Sequence, residues 1–254
     1  RQRSIGEPVL QVDGLAGRRL PRSAAFTLRR GEVFGIFGLV GSGRTELLRL
    51  LFGLDRRRAG RIRWQERELG ADIAGRWQSG VGMLSEDRKS EGLLLTRDLA
   101  ENVTLSDLGR FSRWGLVSSS GQRQATSTWI DRLGIRCRGP RQAVADCSGG
   151  NQQKVVVARL LQHGCRLLLL DEPTRGIDVA AKARIYQLIG EQAADGVAIV
   201  MVSSYVPELL GVCDTIAVMC RGELGAARPV SEWNETTLLA AAIGADEEGD
   251  DDVA

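Results

Sequence analysis

A glycine-rich turn separates an apolar run from a helical pattern near residue 40. It reads Gly38-Leu39-Val40-Gly41-Ser42-Gly43-Arg44-Thr45, with Glu32–Phe37 before it and Glu46–Phe52 after it. Glycines at such a turn let successive backbone N–H groups point into one concavity at a helix N-terminus, where phosphate binds favourably. The sequence therefore predicts a phosphate-binding loop in which Thr45 ligates Mg²⁺, although the turn taken alone could be a plain connection.

Arg44 stands where such a loop ordinarily carries lysine. A guanidinium still pairs with phosphate, but it is bulkier and forked, so it does not simply replace an ammonium wrapped around the β- and γ-phosphates. The predicted nucleotide contacts of this loop are Gly38, Gly41, Ser42, Gly43, Arg44 and Thr45.

Two adjacent carboxylates, Asp171 and Glu172, end the apolar run Leu167–Leu170. In open parallel sheets, ligands bind beyond the carboxyl ends of the strands. We therefore predict that Asp171 holds the Mg²⁺ ion with its water and that Glu172 is the catalytic base for an attacking water. A pair of solvated loop acids is the alternative, and it fits poorly because four leucines carry the pair to the edge of a buried layer.

A second anion site is predicted at Cys147-Ser148-Gly149-Gly150-Asn151-Gln152-Gln153-Lys154, ahead of the helical pattern Val155–Leu161. A Ser-Gly-Gly turn at a helix start presents free N–H groups to an anion. Alone it could be an ordinary N-cap. Its place about twenty residues before the carboxylate strand makes the motif specific.

The overall composition excludes several classes of protein. Among 254 residues the hydrophobic fraction of 43% is typical of globular chains, and no run reaches the ~18 apolar residues of a membrane helix. Five scattered cysteines and the single His163 argue against a disulfide scaffold and a zinc enzyme, and they favour a reducing cytosol. A net charge of +2 argues against a protein whose main task is to grip nucleic acid.

Apolar runs alternate with helical patterns over most of the chain, which predicts a layered α/β domain. Buried strands are predicted at Glu32–Phe37, Val81–Leu84, Leu167–Leu170 and Val197–Val202 because these runs are almost continuously apolar. Weaker candidates, for an antiparallel flank, are Val9–Val12, Arg61–Trp64 and Thr215–Met219.

The alternation breaks in a polar stretch from about Asp98 to Ala145, where helical patterns follow one another with no strand between them. We interpret this as a helical subdomain, at about 98–160, inserted in a domain of residues 1–244. Residues 245–254 are dominated by acids and are expected to form a disordered tail. The chain opens at Arg1 without an initiator Met or an apolar signal segment, which suggests a piece of a longer protein.

These three motifs, in this order, resemble the nucleotide-binding domain of ABC transporters. Walker A corresponds to 38–45, the signature to Cys147–Gln153 and Walker B to Leu167–Glu172, within a resemblance that covers Val9 to Met219. It implies an ABC ATPase fold with a mixed P-loop sheet, ATP and Mg²⁺ as cofactors, and a D-loop whose Asp178 faces the opposing subunit.

Finer motifs resemble the second half of the tandem ATPases of bacterial monosaccharide importers of the ribose, xylose and galactose type. They are Ser85-Glu86-Asp87-Arg88-Lys89 with Gly92-Leu93, the run 148–154, and Asp171-Glu172-Pro173-Thr174-Arg175-Gly176-Ile177-Asp178. The implied partners are an N-terminal ATPase half of the same polypeptide, membrane permease subunits and, indirectly, a periplasmic sugar-binding protein, with no nucleic acid. The implied location is the cytoplasmic face of the bacterial inner membrane.

Three positions depart from the general ABC pattern, and all three weaken the same site. Arg44 replaces the Walker lysine, Glu86 the Q-loop glutamine and Ser204 the switch histidine. Glu86 could still reach Mg²⁺ or the attacking water, but a serine cannot supply imidazolium-like charge to the γ-phosphate. The aromatic residue that stacks on adenine also has no evident counterpart near Ala16–Arg19.

The resemblance also implies head-to-tail pairing, with each ATP between the Walker motifs of one domain and the signature of the other. Ser148, Gly149, Gly150 and Gln152 would then complete a strong site on the partner half, whereas the local Walker side would form a weak one. The implied function is ATP hydrolysis coupled to sugar import. A groove lined by Ser85–Lys89 and Leu94–Asn102 would receive a short helix of the membrane subunit.

Two other functions stay open. A soluble ABC ATPase of translation or DNA repair would act as a nucleotide-gated clamp on nucleic acid, and the near-neutral charge and acidic end count against it. A regulatory module would bind ATP without hydrolysing it. Arg44 and Ser204 favour that reading, whereas Glu172 argues against it.

Overall fold

The structure is a computed structural model that describes residues 4–70 and 72–244; the predicted acidic tail lies outside these ranges. The described strands are β1 (Pro8–Ala16), β2 (Ala24–Arg29), β3 (Val33–Gly38), β4 (Ala59–Trp64), β5 (Arg67–Glu68), β6 (Val81–Leu84), β7 (Ser112–Arg113), β8 (Leu116–Val117), β9 (Leu167–Asp171), β10 (Ala198–Val202), β11 (Thr215–Cys220), β12 (Glu223–Leu224) and β13 (Arg228–Pro229).

The described α-helices are α1 (Arg44–Phe52), α2 (Ile73–Gln78), α3 (Leu99–Thr104), α4 (Ser119–Leu133), α5 (Gly149–His163), α6 (Val179–Ala194), α7 (Val206–Val212) and α8 (Glu235–Ile243). A π-helical turn covers Arg88–Gly92, and a 3-10 segment follows α3 at Leu105–Phe111. None of the helices in the described ranges combines the length and the apolar character that crossing a membrane requires.

A mixed seven-stranded sheet forms the centre, with β11, β3, β10, β9 and β6 parallel in that order and β12 and β13 antiparallel on β11. The four predicted buried strands are confirmed as β3, β6, β9 and β10, each buried along its length. Strand β3 gives Val33 and Phe37 to one hydrophobic cluster and Phe34 and Ile36 to the other. The phosphate loop therefore starts from a strand that is packed on both faces.

The antiparallel flank is a separate sheet in the order β2-β1-β4-β5. Two of its strands match the weaker predictions, but the placement of Thr215–Met219 in this flank is wrong. Strand β11 lies parallel to β3, with Ile216 opposite Gly35. Helix α7 connects β10 to β11 and returns the chain to the same end of the sheet, which is the connection that parallel strands require.

Helices α3 and α4 of the polar stretch pack against each other and against α5, which follows the stretch. Arg159 of α5 connects α5 to α3 and to the turn before it: its buried guanidinium donates to the carbonyls of Asn102 and Gly92, both at 2.7 Å, and to Asn102 Oδ1 at 3.1 Å. The stretch is not free of strands as predicted, because β7 and β8 form a small hairpin. Its turn residues, Trp114 and Gly115, both have positive φ, at 58° and 79°, as a type I′ turn requires.

Candidate functional site

The predicted phosphate loop connects β3 to α1. Gly41 and Gly43 have φ values of 81° and 109°, which glycine adopts at little cost. Gly38 is required for space, because a Cβ there would lie 2.5 Å from the Met219 carbonyl oxygen. Ser42 Oγ is buried and has no hydrogen-bond partner among the described residues. A loop that ends in the N-terminus of a nine-residue helix and holds an unsatisfied hydroxyl suits a phosphate group.

Arg44, the first residue of α1, reaches from this loop to the carboxylate strand. Its side chain is 9% exposed, and Nη2 lies 3.7 Å from Glu172 Oε1. Burial lowers the pKa of Arg44, and the charges of Glu172 and Asp171 oppose that shift. Within the described chain its Nη1 has no hydrogen-bond partner. The guanidinium therefore contacts the predicted base while keeping one donor for a phosphate.

Asp171 ends β9 and is fully buried. Burial raises the pKa of Asp171 to about 6; the nearby Thr45 hydroxyl opposes this rise, although no hydrogen bond of acceptable geometry joins the two side chains. Both carboxylate oxygens lack partners among the residues that the structure describes. A buried carboxylate with two unsatisfied oxygens beside a hydroxyl is a donor set that suits Mg²⁺, so Thr45 and Asp171 fit the predicted metal site.

Glu172 adopts φ of 47°, a strained left-handed conformation for a residue other than glycine. Its N–H donates to the Val202 carbonyl at 3.0 Å, and its Oε1 accepts from the Ser204 N–H at 2.7 Å. Ser204 thus meets the predicted base through its backbone. Sequence reasoning considered only the serine side chain and missed a contact that any residue could make at this position.

Glu86 was expected to reach Mg²⁺ or the attacking water, but it pairs with an arginine. Its Oε1 forms an ion pair with Nη1 of Arg175, at the surface rather than with the Mg²⁺ ligands. Arg175 lies three residues after Glu172, and its charge adds to the effect of burial in lowering the pKa of Arg44. Arg175 belongs to the 171–178 motif, but the sequence alone indicates no role for it.

The signature residues begin α5. Ser148 is the N-cap, but its exposed hydroxyl accepts from the Asn151 side chain at 2.9 Å instead of capping the backbone. A Cβ on Gly149 would lie 2.6 Å from Arg88 Nη2, so the guanidinium of Arg88 lies at this helix end. Gln152 is not brought to the same surface, because its buried amide donates to the Val144 carbonyl at 3.3 Å.

Asp178 begins α6 and is exposed. Its carboxylate accepts from the Ala181 N–H at 2.9 Å, so part of its function is to cap the helix. The preceding Ile177 lies beside the signature, since a Cβ on Gly150 would be 3.7 Å from it. The D-loop and the start of α5 therefore share one surface of the molecule.

Comparison with known proteins identifies the architecture. The family model described as ABC transporter matches residues 22–175. The chain belongs to the ABC transporter family. Solved ABC cassettes share the fold: MJ1267 superposes with a TM-score of 0.79 at 16% identity, covering 94% of this chain and 98% of that one. Dimeric MJ0796 in a post-hydrolysis state bound to ADP and Pi gives 0.75 at 20% identity, covering 87% and 98%. The predicted ABC ATPase fold is confirmed.

Two curated relatives of the chain are named as sugar-import ATP-binding proteins. The arabinose import ATP-binding protein AraG of Rhizobium meliloti (strain 1021) is 41% identical over 245 residues, covering 96% of this chain and 48% of AraG. The ribose import ATP-binding protein RbsA of Chromobacterium violaceum is 44% identical over 245 residues, covering 96% and 49%. The chain thus spans about half the length of the curated relatives it matches.

This ABC domain carries a groove of about 870 Å³ beside the Q-loop. Ser85 and Glu91 line it, together with α2 and the turn at residues 105–109. Of the expected lining, Ser85 lies in this groove, whereas residues 86–89 and 94–102 do not; Asn102 is fully buried and bonds the Leu94 N–H and carbonyl at 2.9 and 3.0 Å. His163 joins the walls: Nδ1 lies 3.0 Å from the Ser106 carbonyl oxygen and Nε2 lies 2.8 Å from that of Trp77.

Proposed function

We propose that this chain is the second ATPase half of a tandem ATP-binding protein that energises sugar import across the bacterial inner membrane. The observation that carries the proposal is the convergence of Arg44, Thr45, Asp171 and Glu172 at the carboxyl end of the central sheet, with unsatisfied atoms on Arg44 and Asp171. AraG and RbsA are named as sugar-import proteins, and the chain matches about half the length of each; both facts support sugar as the substrate and a tandem arrangement.

The local site binds ATP through the phosphate loop and the Arg44 guanidinium. Thr45 and Asp171 hold Mg²⁺, which, when bound, neutralises charge on the β- and γ-phosphates. Glu172 takes the proton of the attacking water. The Glu172 carboxylate already contacts the Arg44 guanidinium and accepts a hydrogen bond from the Ser204 N–H, and both contacts make it a weaker base. ATP turnover at this site is therefore slow.

The signature surface serves the other half. Ser148, Gly149 and Gly150 stand at the N-terminus of a fifteen-residue helix, whose free N–H groups and dipole favour an anion such as the partner's γ-phosphate. Asp178 faces the same partner across the D-loop. The Walker motifs of the N-terminal half then form the faster ATP site. Permease subunits dock in the groove beside Ser85. A periplasmic sugar-binding protein acts indirectly, through the permease.

The test is steady-state phosphate release and fluorescent-ATP binding by the purified chain, with Glu172→Gln as the reference variant. We expect Mg²⁺-dependent binding with a release rate far below that of a complete ABC ATPase. A fast rate that Glu172→Gln abolishes would overturn the weak site. The Arg44–Glu172 contact also favours a second candidate, a regulatory module that binds ATP without hydrolysis; it requires binding with no release that depends on Glu172.

A further inference from the structure

Glu208 is a buried carboxylate outside the Walker, signature and D-loop motifs. It lies on α7 and is 3% exposed, and the negative charge of Glu172 adds to the effect of burial in raising its pKa. Burying a carboxylate costs free energy unless hydrogen bonds satisfy its oxygens. Both oxygens are satisfied here: Oε1 accepts from Thr174 Oγ1 at 2.8 Å, and Oε2 accepts from Ser203 Oγ at 2.5 Å.

The two hydroxyls belong to the segments that flank Glu172. Thr174 follows Glu172 by two residues, and Ser203 precedes Ser204, whose N–H donates to Glu172 Oε1 at 2.7 Å. Three hydrogen bonds and two short chain segments therefore form a closed ring. One segment runs from Glu172 to Thr174 and the other from Ser203 to Ser204, and Glu208 connects them.

The ring requires two acceptors on one side chain. Ser203 Oγ already accepts from the Tyr205 N–H at 3.1 Å, so its proton is directed to Glu208. Burial raises the pKa of Glu208, while the Ser203 and Thr174 hydroxyls oppose that rise by stabilising the ionised form. A carboxylate accepts from both hydroxyls, whereas a glutamine at this position offers a single acceptor oxygen.

We propose that Glu208 is a positioning residue for Glu172. The inference rests on the proposed function, because Glu172 is a base only if this site hydrolyses ATP. Glu208 holds the Ser203–Ser204 turn against the segment that follows Glu172, and this keeps the Ser204 N–H on the Glu172 carboxylate. Without Glu208 the two segments separate, and Glu172 keeps its strained backbone but loses its amide partner.

Amide hydrogen exchange tests the position directly and needs no hydrolysis. The variants, made in the 254-residue chain, are Glu208→Met, which keeps the length but removes both acceptors, and Glu208→Gln, which keeps one. We expect exchange at the Ser204 amide to accelerate about tenfold or more in Glu208→Met and less in Glu208→Gln. Leu209→Met is the control, because it changes the neighbouring fully buried residue of α7 while leaving Glu208 in place.

Two outcomes overturn the inference: Ser204 protection that stays at the wild-type level in Glu208→Met, or an equal acceleration at the β10 amides of Ile199 and Met201, which would show a general loss of stability. If Glu208→Met does not fold, Ser203→Ala is the smaller change: it removes the Ser203–Glu208 hydrogen bond together with the acceptor of the Tyr205 N–H and leaves the bond from Thr174, and the same two outcomes apply.

ATP turnover by the full-length polypeptide supplies the second readout, judged against the part of the rate that Glu172→Gln removes. We expect Glu208→Met to lose most of that part while the dissociation constant for ATP changes less than twofold. If Glu172→Gln does not lower the ATP turnover rate, this site does not hydrolyse ATP and that part of the proposed function fails. The hydrogen-exchange measurement still tests whether Glu208 positions the Ser204 N–H.

Discussion

The guanidinium of Arg44 lies 3.7 Å from the carboxylate of Glu172, and both side chains are more than nine-tenths buried. The residue that replaces the Walker lysine is therefore in contact with the residue that would activate water. A buried pair of opposite charges interacts more strongly than a pair at the surface, because the effective dielectric constant is lower there. The substitution thus acts on two parts of the site, the phosphate contact and the base.

Replacing Arg44 by lysine should raise ATP turnover at this site several-fold. Lysine presents a compact ammonium to the phosphates and lacks the forked group that reaches Glu172. Phosphate release by the purified Arg44→Lys chain checks this, and the gain should vanish in the double variant with Glu172→Gln. Arg44→Met is the matched control, for which we expect ATP binding to weaken about tenfold or more because a charged phosphate contact is lost. Turnover in Arg44→Lys at or below the wild-type rate would contradict the prediction.

Ser148→Arg should abolish sugar uptake by the assembled importer, whereas Thr45→Ala should cost much less. A bulky cation at the start of α5 would block the approach of the signature to the partner's γ-phosphate. Thr45 serves only the local Mg²⁺, in a site already weakened at Arg44 and Ser204. Uptake of labelled sugar in cells that carry each variant is the measurement, and the head-to-tail assignment fails if Thr45→Ala proves the more damaging.

Asp171→Asn should stabilise the metal-free protein at pH 7, by an amount that shrinks as the pH falls to 5. The pKa of Asp171 rises from 3.8 to about 6 on folding, so the folded state takes up the proton more readily than the unfolded state. Wild-type stability therefore increases relative to the variant as the pH falls from 7 to 5, by about 1 kcal/mol.

Urea unfolding of the wild type and Asp171→Asn in EDTA, at both pH values, measures the difference directly. The comparison cancels the titration of other groups, including Glu208. A difference in the free energy of unfolding that stays constant between pH 7 and pH 5 would show that burial does not shift the ionisation of Asp171.

Arg159→Ala should reduce the free energy of unfolding by about 3 kcal/mol, since it leaves the carbonyls of Gly92 and Asn102 without their buried donor. Arg97→Ala is the matched control: that arginine is 62% exposed and pairs with Glu101 one helical turn away, so its removal should cost less than about 0.5 kcal/mol. Chemical denaturation of both variants checks the contrast. Equal effects would mean that Arg159 does not hold the helical stretch to the segment at Gly92.

The phosphate loop and the carboxylate pair could be predicted from sequence because each follows a continuous apolar run, and such runs identify strands buried on both faces. Strand β11 was misplaced because its sequence does not encode its direction; helix α7 sets that direction. Strand β2 was overlooked, although its apolar residues Ala24, Phe26 and Leu28 alternate with exposed ones.

The contacts around Glu172 could not be read from the sequence for two different reasons. Ser204 acts through its N–H, which every residue other than proline carries, so the residue type gives no signal. Glu208 lies 36 residues after Glu172 and reaches Thr174 only because α7 folds back over the end of the sheet. Such a relationship depends on tertiary packing rather than on local pattern.

The imidazole of His163 bridges two carbonyl oxygens on opposite walls of the groove, at 3.0 and 2.8 Å, with its ring edge-on to Trp77. His163 of α5 therefore links α2 and the turn at Ser106 at this point of the groove. An occupant that separates these elements must break at least one of the two His163 contacts. Binding in the groove is therefore coupled to the relative positions of α5, α2 and the turn at Ser106.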